Sequence, residues 1–136
     1  LFQILDWIKK KLIDKKYLVY FGSRAHKKSY VKSKFYRKFL GDIMRFCIGV
    51  ILDIRIRDTQ CGYKLYKKSL AKYIFFKLKN FGFDHDLELI LLLKYKHAKI
   101  IELPVKWKHK SNSRLNILWD PIKMFFGIIA IKFRYL

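Results

Sequence analysis

Residues 57–64, with the sequence RDTQCGYK, constrain the fold more than any other stretch of this chain. They place an acid, an amide, a thiol and a glycine between a predicted helix and a short alternating segment typical of a strand. Gly62 is predicted to adopt a backbone conformation that a β-carbon would forbid, as a tight turn requires. Asp58 and Gln60 are therefore expected at the edge of a sheet, where a loop can present them to a ligand. The alternative is a polar turn in which Asp58 only caps a neighbouring segment.

The composition limits the class of protein. The 136 residues predict one domain or part of one, and an apolar fraction of 52% excludes simple disorder. The formal net charge of +21 attracts polyanions, such as nucleic acid, anionic lipid or phosphorylated substrates. Part of this charge can also reflect a general lysine bias along the chain. Cys47 and Cys61 lie on different predicted elements without metal-ligand spacing, which indicates free thiols in a reducing compartment.

Hydrophobic periodicity predicts most of the secondary structure. Helices are expected at residues 1–16, 35–53, 68–78, 87–95 and 119–136, and strands at 18–21, 63–66 and 98–107. No apolar run reaches the roughly 20 residues that a bilayer-spanning helix needs. The second helix carries one apolar stripe, formed by Phe35, Phe39, Ile43, Phe46 and Val50.

Other features qualify individual elements. The fourth helix is apolar almost all round and is expected to be buried, so its Glu88 needs a hydrogen-bonding partner. Pro104 restricts the last strand to an edge or a bulge. The last helix combines aromatic residues with Lys123, Lys132 and Arg134, which suits a membrane interface. A helix that faces the core explains the same pattern equally well.

Two basic segments are candidate anion sites. Gly22, Ser23 and Arg24 end a buried strand, where small residues permit close approach and Arg24 can donate a bidentate pair of hydrogen bonds to phosphate. A surface salt bridge is the alternative role for Arg24. Residues 26–34 form a predicted basic loop that can contact single-stranded nucleic acid or anionic lipid, or can simply be solvated.

Four segments also resemble, in order, the motifs of one enzyme family. They are residues 22–26 (GSRAH), 57–66 (RDTQCGYKLY), 86–89 (DLEL) and 102–107 (ELPVKW). Together they are similar to family 2 glycosyltransferases that load sugars onto polyprenyl phosphates, and most similar to the dolichyl-phosphate β-glucosyltransferases. His85 departs from the pattern, since that family usually has phenylalanine there.

The resemblance implies an α/β fold, namely the C-terminal, acceptor-side half of a GT-A Rossmann-like glycosyltransferase fold with a terminal amphipathic helix. Residues 1–118 would be a partial catalytic domain that lacks the nucleotide-binding half, and residues 119–136 the terminal helix. The implied activity is inverting transfer of a sugar, foremost glucose from UDP-glucose, to a dolichyl or polyprenyl phosphate. It would occur at the cytoplasmic face of a membrane, the endoplasmic reticulum in a eukaryote or the inner membrane in a bacterium.

The resemblance also assigns roles to residues. Asp58 is the expected catalytic residue, as the group that orients the acceptor or acts as base.

The expected acceptor and phosphate-binding residues are Arg24, Arg37, Gln60, Lys64 and Arg114. The full enzyme would use Mg²⁺ or Mn²⁺ held by an Asp-x-Asp motif, which this chain lacks, so the chain alone is expected to be inactive and to hold no metal. Its expected partners are the polyprenyl phosphate, a nucleotide sugar and a membrane surface, but not nucleic acid.

A non-catalytic basic module that binds a membrane surface or nucleic acid is the alternative. Binding by charge alone would depend steeply on salt and would not need Asp58.

Overall fold

The computed structural model of the chain describes residues 2–14, 16–32, 35–79, 82, 84–108 and 119–135. It has a mixed α/β architecture. The helices are α1 (Phe2–Lys9), α2 (Phe35–Leu52), α3 (Lys68–Lys77), α4 (His85–Tyr95) and α5 (Trp119–Tyr135). The strands are β1 (Val19–Ser23), β2 (Tyr30–Lys32), β3 (Lys64–Tyr66), β4 (Ile100–Pro104) and β5 (Lys106–Lys108).

Strand β1 is the centre of the main sheet, whose order is β3-β1-β4. It pairs antiparallel with β3 and parallel with β4, with Val19 opposite Tyr66 on one side and Ile100 on the other. The parallel strands β2 and β5 form a second, two-stranded sheet. Within the described residues β4 is an edge strand, which confirms the expectation from Pro104.

The alternation of side chains along β1 divides the core into two clusters. Val19 and Phe21 pack with residues of α2, α3, α4 and α5, whereas Tyr20 packs on the other face with Trp7 and Val105. Helix α2 packs against α5, and α4 packs against both α3 and α5. The predicted burial of the fourth helix is confirmed, because the leucines and the isoleucine between positions 87 and 93 are all buried.

Glu88 is the fully buried acid of that helix, and two of its hydrogen-bond partners come from other segments. The backbone N–H of Lys79 donates to its carboxylate at 3.2 Å, and the Tyr135 hydroxyl donates to it as well. The pKa of Tyr135 is raised to about 12, mainly by burial and secondly by this hydrogen bond. The predicted need for a partner is therefore confirmed, and Glu88 joins the end of α3 to the end of α5.

The first helix is shorter than its apolar spacing predicts. It ends at Lys9, and Lys11 lies in the left-handed region with a φ of 52°. The tryptophan of this helix supplies the main burial, since Trp7 is fully buried and its indole N–H donates to the Pro104 carbonyl at 2.8 Å. The extension of the helix to residue 16 was wrong because one anchored aromatic residue, rather than a long apolar stripe, holds α1 against β4.

The basic segment at residues 26–34 is not a loop throughout, because it contains β2. Tyr30 pairs with Lys106 and Val31 with Trp107 in β5. This pairing joins segments more than seventy residues apart in the sequence. The local residue pattern of residues 26–34 therefore could not predict it.

Helix α2 matches its predicted bounds to within a residue, but its apolar stripe is exposed. Phe35 is 85% exposed and Phe46 is 72% exposed. Among the described side chains of α2, Ile48 and Leu52 are buried, and they lie on the opposite side of the helix. Among the described helices, none has the length and hydropathy of a membrane-spanning helix.

The glycine that the fold depends on is Gly22 rather than Gly62. The described glycines have no positive φ, and a β-carbon at Gly62 would meet no atom within 4 Å. The expectation that Gly62 adopts a backbone conformation forbidden to other residues was therefore wrong. At Gly22 a β-carbon would lie 2.7 Å from Val105 Cγ1 and 3.0 Å from Cys61 Sγ. Close packing of β1 against two neighbouring segments therefore requires a residue without a side chain.

We predict that Gly22→Ala destabilises the fold by about 1–3 kcal/mol, because the added methyl group overpacks a filled core. Gly62→Ala is the matched control and is expected to change the free energy of unfolding by less than ~0.5 kcal/mol. Urea unfolding followed by circular dichroism measures both. Equal stability of the two variants would contradict the packing role of Gly22.

Candidate functional site

A bidentate ion pair between Arg24 and Asp58 is the centre of the candidate site. Arg24 Nε donates to Asp58 Oδ2 at 2.7 Å, and Nη2 donates to Oδ1 at 2.7 Å. The backbone N–H of Arg24 also donates to Oδ2, at 2.8 Å. Both carboxylate oxygens are therefore engaged by a single residue, and this geometry fixes the plane of the guanidinium group.

Two contacts bring these residues together from distant segments. Arg24 directly follows β1, where the N–H of Gly22 donates to the Tyr63 carbonyl at 2.7 Å. Asp58 follows α2, and Glu102 Oε1 accepts hydrogen bonds from the backbone N–H groups of Arg57 and Asp58 at 3.1 and 3.2 Å. A side chain of β4 thus holds the segment that presents Asp58 to Arg24.

The electrostatics of the pair favour the charged form of both groups. Burial raises the pKa of Asp58, but the hydrogen bonds and the charge of Arg24 outweigh it and hold this pKa below the usual value. The hydrogen bond from Arg24 to Asp58 raises the pKa of Arg24. Asp58 therefore stays ionised at neutral pH and is a weak base.

Arg24 retains one side that can meet a ligand. Its side chain is 35% exposed, whereas that of Asp58 is 6% exposed. Its guanidinium carbon lies 5.6 Å from the centre of the Trp107 ring. Nη1 has no hydrogen-bond acceptor among the described residues, so this nitrogen can still donate to an anion.

Lys64 lies in a second cluster. Its Nζ contacts Asp86 Oδ1 at 2.5 Å and lies 5.1 Å from the centre of the Phe21 ring. His85 Nε2 contacts the same Asp86 oxygen at 2.9 Å. Lys64 and Asp86 are both largely buried, so in this arrangement the lysine is committed to a carboxylate.

The remaining predicted site residues are placed less fully. Gln60 Nε2 contacts Met124 Sδ on α5 at 3.6 Å. The backbone of Arg37 lies in the first turn of α2, but its side chain is outside the described residues, as is the whole of Arg114. The structure therefore brings together Arg24 and Asp58, and it places Lys64 beside Asp86 and Gln60 against α5.

Sequence reasoning missed the roles of three residues near this site: Glu102, Trp107 and Asp86. All three lie in segments that were noticed for their family resemblance. Glu102 and Trp107 are the first and last residues of the ELPVKW segment, whose family resemblance assigns a role to neither residue. The contact of Glu102 depends on the pairing of β1 with β4, and Trp107 lies in β5, which pairs with β2. One sequence reports neither pairing.

The cysteines and the acids define what else the site can hold. Cys61 is a buried free thiol beside Gly22, and burial raises its pKa, so it is not a reactive nucleophile. Among the described residues no group of three or more His, Cys, Asp or Glu side chains is arranged to hold a metal ion. The described donor set does not fit a catalytic divalent cation.

We predict that Asp58→Asn destabilises the fold by about 2 kcal/mol at pH 7, because it removes one partner of a largely buried ion pair. The loss is moderate because the Arg24 side chain is partly exposed to solvent. The depressed pKa of Asp58 contributes stability that is complete above its unfolded value of about 3.9 and is lost as pH falls through the folded value. The difference in the free energy of unfolding between wild type and Asp58→Asn should therefore stay constant from about pH 7 to 4 and become smaller below about pH 4. Chemical unfolding at several pH values measures it.

Asp53→Asn is the control for this experiment. Asp53 pairs with Lys94 at 2.6 Å on the surface, and its loss should change stability much less. If the difference in the free energy of unfolding between wild type and Asp58→Asn stays unchanged at the lowest pH, the ionised Asp58 is not the cause of that difference.

Comparison with known proteins identifies relatives of the chain. No family model matches it, and no solved structure matches it. The dolichyl-phosphate beta-glucosyltransferase of Homo sapiens is 32% identical over 117 residues, which is 85% of this chain and 36% of the relative. That of Saccharomyces cerevisiae is 31% identical over 118 residues, with 85% and 35% covered.

A dolichyl-phosphate beta-glucosyltransferase of Trichomonas vaginalis is 32% identical over 130 residues, which is 94% of this chain and 39% of the relative. The chain thus spans little more than a third of the length of these curated relatives. Their names confirm the resemblance that the motifs indicated. Over most of its length the chain is homologous to dolichyl-phosphate beta-glucosyltransferases, which are glycosyltransferases.

Proposed function

We propose that this chain is the acceptor-side part of a GT-A-type glycosyltransferase that transfers glucose from UDP-glucose to a dolichyl or polyprenyl phosphate. The bidentate Arg24–Asp58 pair is the observation that carries the proposal. It presents an oriented arginine at the end of β1, inside the segment that resembles the GSRAH motif. The homology of the chain to dolichyl-phosphate beta-glucosyltransferases supports the choice of reaction.

The chemistry asks the protein to position two anions. An acceptor phosphate oxygen is already charged and attacks the anomeric carbon of the donor, with inversion, as the nucleotide diphosphate leaves. Proton removal is unnecessary, so the site must align the phosphate and offset its repulsion from the donor. Of the donor groups in the Arg24–Asp58 pair, Arg24 Nη1 remains available for this contact.

Asp58 acts in this proposal by orienting Arg24. Both of its oxygens accept hydrogen bonds from Arg24, and its low pKa makes it unsuited to remove a proton. The pair is neutral, so further cations must hold the phosphate. Arg37 and Arg114 are proposed for this role, with Lys64 and Gln60 on the wall of the site.

The membrane part of the proposal rests on α5. Its exposed apolar residues include Trp119, Phe126 and Phe133, while Ile128 and Ile131 are buried in the core. Exposed cations lie on the same helix at Lys123, Lys132 and Arg134. This distribution supports an interfacial position at a membrane, where a lipid-linked phosphate is presented. The cytoplasmic face is the side that we propose.

The nucleotide sugar and the divalent cation are proposed to bind outside the described residues of this chain. The described acids offer no metal cluster. The relatives are nearly three times as long as the matched region, which leaves room for a donor half.

The test uses the longest natural protein that contains these 136 residues, in detergent with magnesium, a panel of radiolabelled nucleotide sugars and a polyprenyl phosphate. We predict labelled glycolipid from UDP-glucose. Arg24→Ala should lower kcat/KM about 10- to 100-fold, because it removes a charge-assisted hydrogen bond to the phosphate. Asp58→Asn should lower it through loss of the arginine orientation.

Arg55→Ala is the matched control, because the Arg55 side chain is 94% exposed and its contact with Asp53 is 3.8 Å long. It should leave kcat/KM unchanged. Glycolipid from no donor, with a protein that circular dichroism shows to be folded, would overturn the proposal. Polyanion binding that falls steeply with salt and ignores Asp58→Asn would then favour the basic binding module.

A further inference from the structure

His85, the first residue of α4, contacts a hydrogen-bond acceptor with each of its ring nitrogens. Nδ1 lies 3.2 Å from the Gly82 carbonyl oxygen, and Nε2 lies 2.9 Å from Asp86 Oδ1. A carbonyl oxygen and an ionised carboxylate can only accept hydrogen bonds, so both ring nitrogens must donate. Only the protonated imidazolium ring carries a proton on each nitrogen, and the geometry is therefore that of a charged histidine.

The same carboxylate oxygen is shared with a lysine. Lys64 Nζ lies 2.5 Å from Asp86 Oδ1, and the Lys64 and Asp86 side chains are 10% and 13% exposed. His85 is 42% exposed and covers this pair on the solvent side. Lys64 and Asp86 alone form a neutral pair, whereas protonated His85 gives the three residues one net positive charge. We call these three residues the His85 cluster.

Strand β3 and helix α5 contribute other groups near the start of α4. On β3, burial and then the charge of Asp86 raise the pKa of Tyr66 above its usual value, so its hydroxyl stays neutral. Asp84 directly precedes His85 and packs against α5, where a β-carbon on Gly127 would lie 3.2 Å from Asp84 Cβ. Carboxyl groups are ordinarily ionised above about pH 6, and histidine is the side chain that changes charge there.

The remaining acid of α4 is engaged with two other segments. Glu88 accepts hydrogen bonds from the backbone N–H of Lys79, after α3, and from the hydroxyl of Tyr135 on α5. Among the described contacts, the charge of His85 is thus met by Asp86 and shared with Lys64.

The His85 cluster lies at the end of β1 that carries the candidate site. Lys64 on β3 is the register partner of Phe21 on β1, and Arg24 follows Phe21 by three residues. The buried Cys61 thiol lies within reach of both charged groups: burial raises its pKa, and the charges of Arg24 and Lys64 also act on it. A change in the charge of the cluster therefore acts on the region around Arg24.

We propose that His85 is a positioning residue for glucosyl transfer, whose protonated ring holds Asp86 and gives the Lys64–Asp86 pair a net positive charge beside the acceptor phosphate. This inference rests on the proposed function. The Arg24–Asp58 pair is neutral, so the phosphate needs further positive charge, and protonation of His85 supplies one unit of it. His85 is also the position at which the chain departs from the resembled pattern, so this contact is a feature of the chain itself.

Urea unfolding of the chain at pH 6 and pH 8 tests the contact without any substrate. The two hydrogen bonds need the protonated ring, so they stabilise the fold at pH 6 and are lost as the pH rises to 8. Between these pH values the urea midpoint of wild type should fall by about 0.3 M more than that of His85→Phe. The shift is small because His85 is partly exposed.

His26→Phe is the matched control for the unfolding experiment. His26 Nδ1 accepts the backbone N–H of Lys28 at 3.1 Å, a contact that needs an unprotonated nitrogen. Wild type should therefore not lose stability relative to His26→Phe as the pH rises. The inference is overturned if wild type and His85→Phe change in parallel, or if His26→Phe reproduces the effect of His85→Phe.

The second experiment measures kcat/KM for the polyprenyl phosphate at pH 6.5 and pH 8 in the longest natural protein that contains these residues. From pH 6.5 to 8 the value for wild type should fall about threefold more than that for His85→Phe. His85→Arg keeps a cation and its donors at both pH values, so it should remove the extra fall and retain the higher activity. A merely structural role would shift activity equally at both pH values.

The two experiments separate failure of this inference from failure of the proposed function. Glucosyl transfer with parallel pH profiles in wild type, His85→Phe and His85→Arg would overturn the role of His85 and leave the proposed function intact. Absence of transfer in a folded wild-type protein, with the expected shift in the urea midpoint, would overturn the proposed function and leave the protonated His85 contact in place.

Discussion

The bidentate ion pair between Arg24 and Asp58 joins two parts of the chain that are 34 residues apart. Its burial carries a desolvation cost, which the paired hydrogen bonds and the added backbone N–H of Arg24 offset. Glu102 ties the Asp58 segment to β4, and Gly22 lets β1 approach closely enough for the pair to form. The site is therefore built from the ends of β1 and α2 and from one side chain of β4.

A second buried acid organises the helices. Glu88 accepts hydrogen bonds from the end of α3 and from Tyr135 at the end of α5. The Tyr95 hydroxyl also donates to the Tyr135 carbonyl. These contacts anchor one end of α5 to α4, while Met124 in the middle of α5 contacts Gln60. The position of α5 thus depends on the hydrogen bond between Tyr135 and Glu88 in an otherwise apolar core. The contact of Met124 with Gln60 links this helix to the candidate site.

Helices α2 and α5 each have two apolar faces. The inner face packs in the core, and the outer face is exposed. Burial of both faces would require a larger protein or a lipid surface, whereas water contact with the outer faces is unfavourable. In the proposed function, α5 presents exposed aromatic residues and cations, and its Met124 contacts Gln60, two residues after Asp58. A lipid-linked phosphate would supply an anion for Arg24 and an apolar chain for the exposed aromatic residues of α5.

The amino-acid sequence by itself determined the presence of β1 and of helices α2, α3 and α4, the burial of α4 and the family resemblance. It also determined that β4 is an edge strand within the described residues. These follow from periodicity, from the missing N–H of Pro104 and from motif order, which are local properties. Tertiary structure decided that the apolar stripe of α2 faces outward, that Gly22 is the tightly packed glycine, that β2 pairs with β5, and that Lys64 pairs with Asp86. The physical reason is that periodicity shows which residues share a face, whereas the surface that covers this face depends on segments far away in the chain.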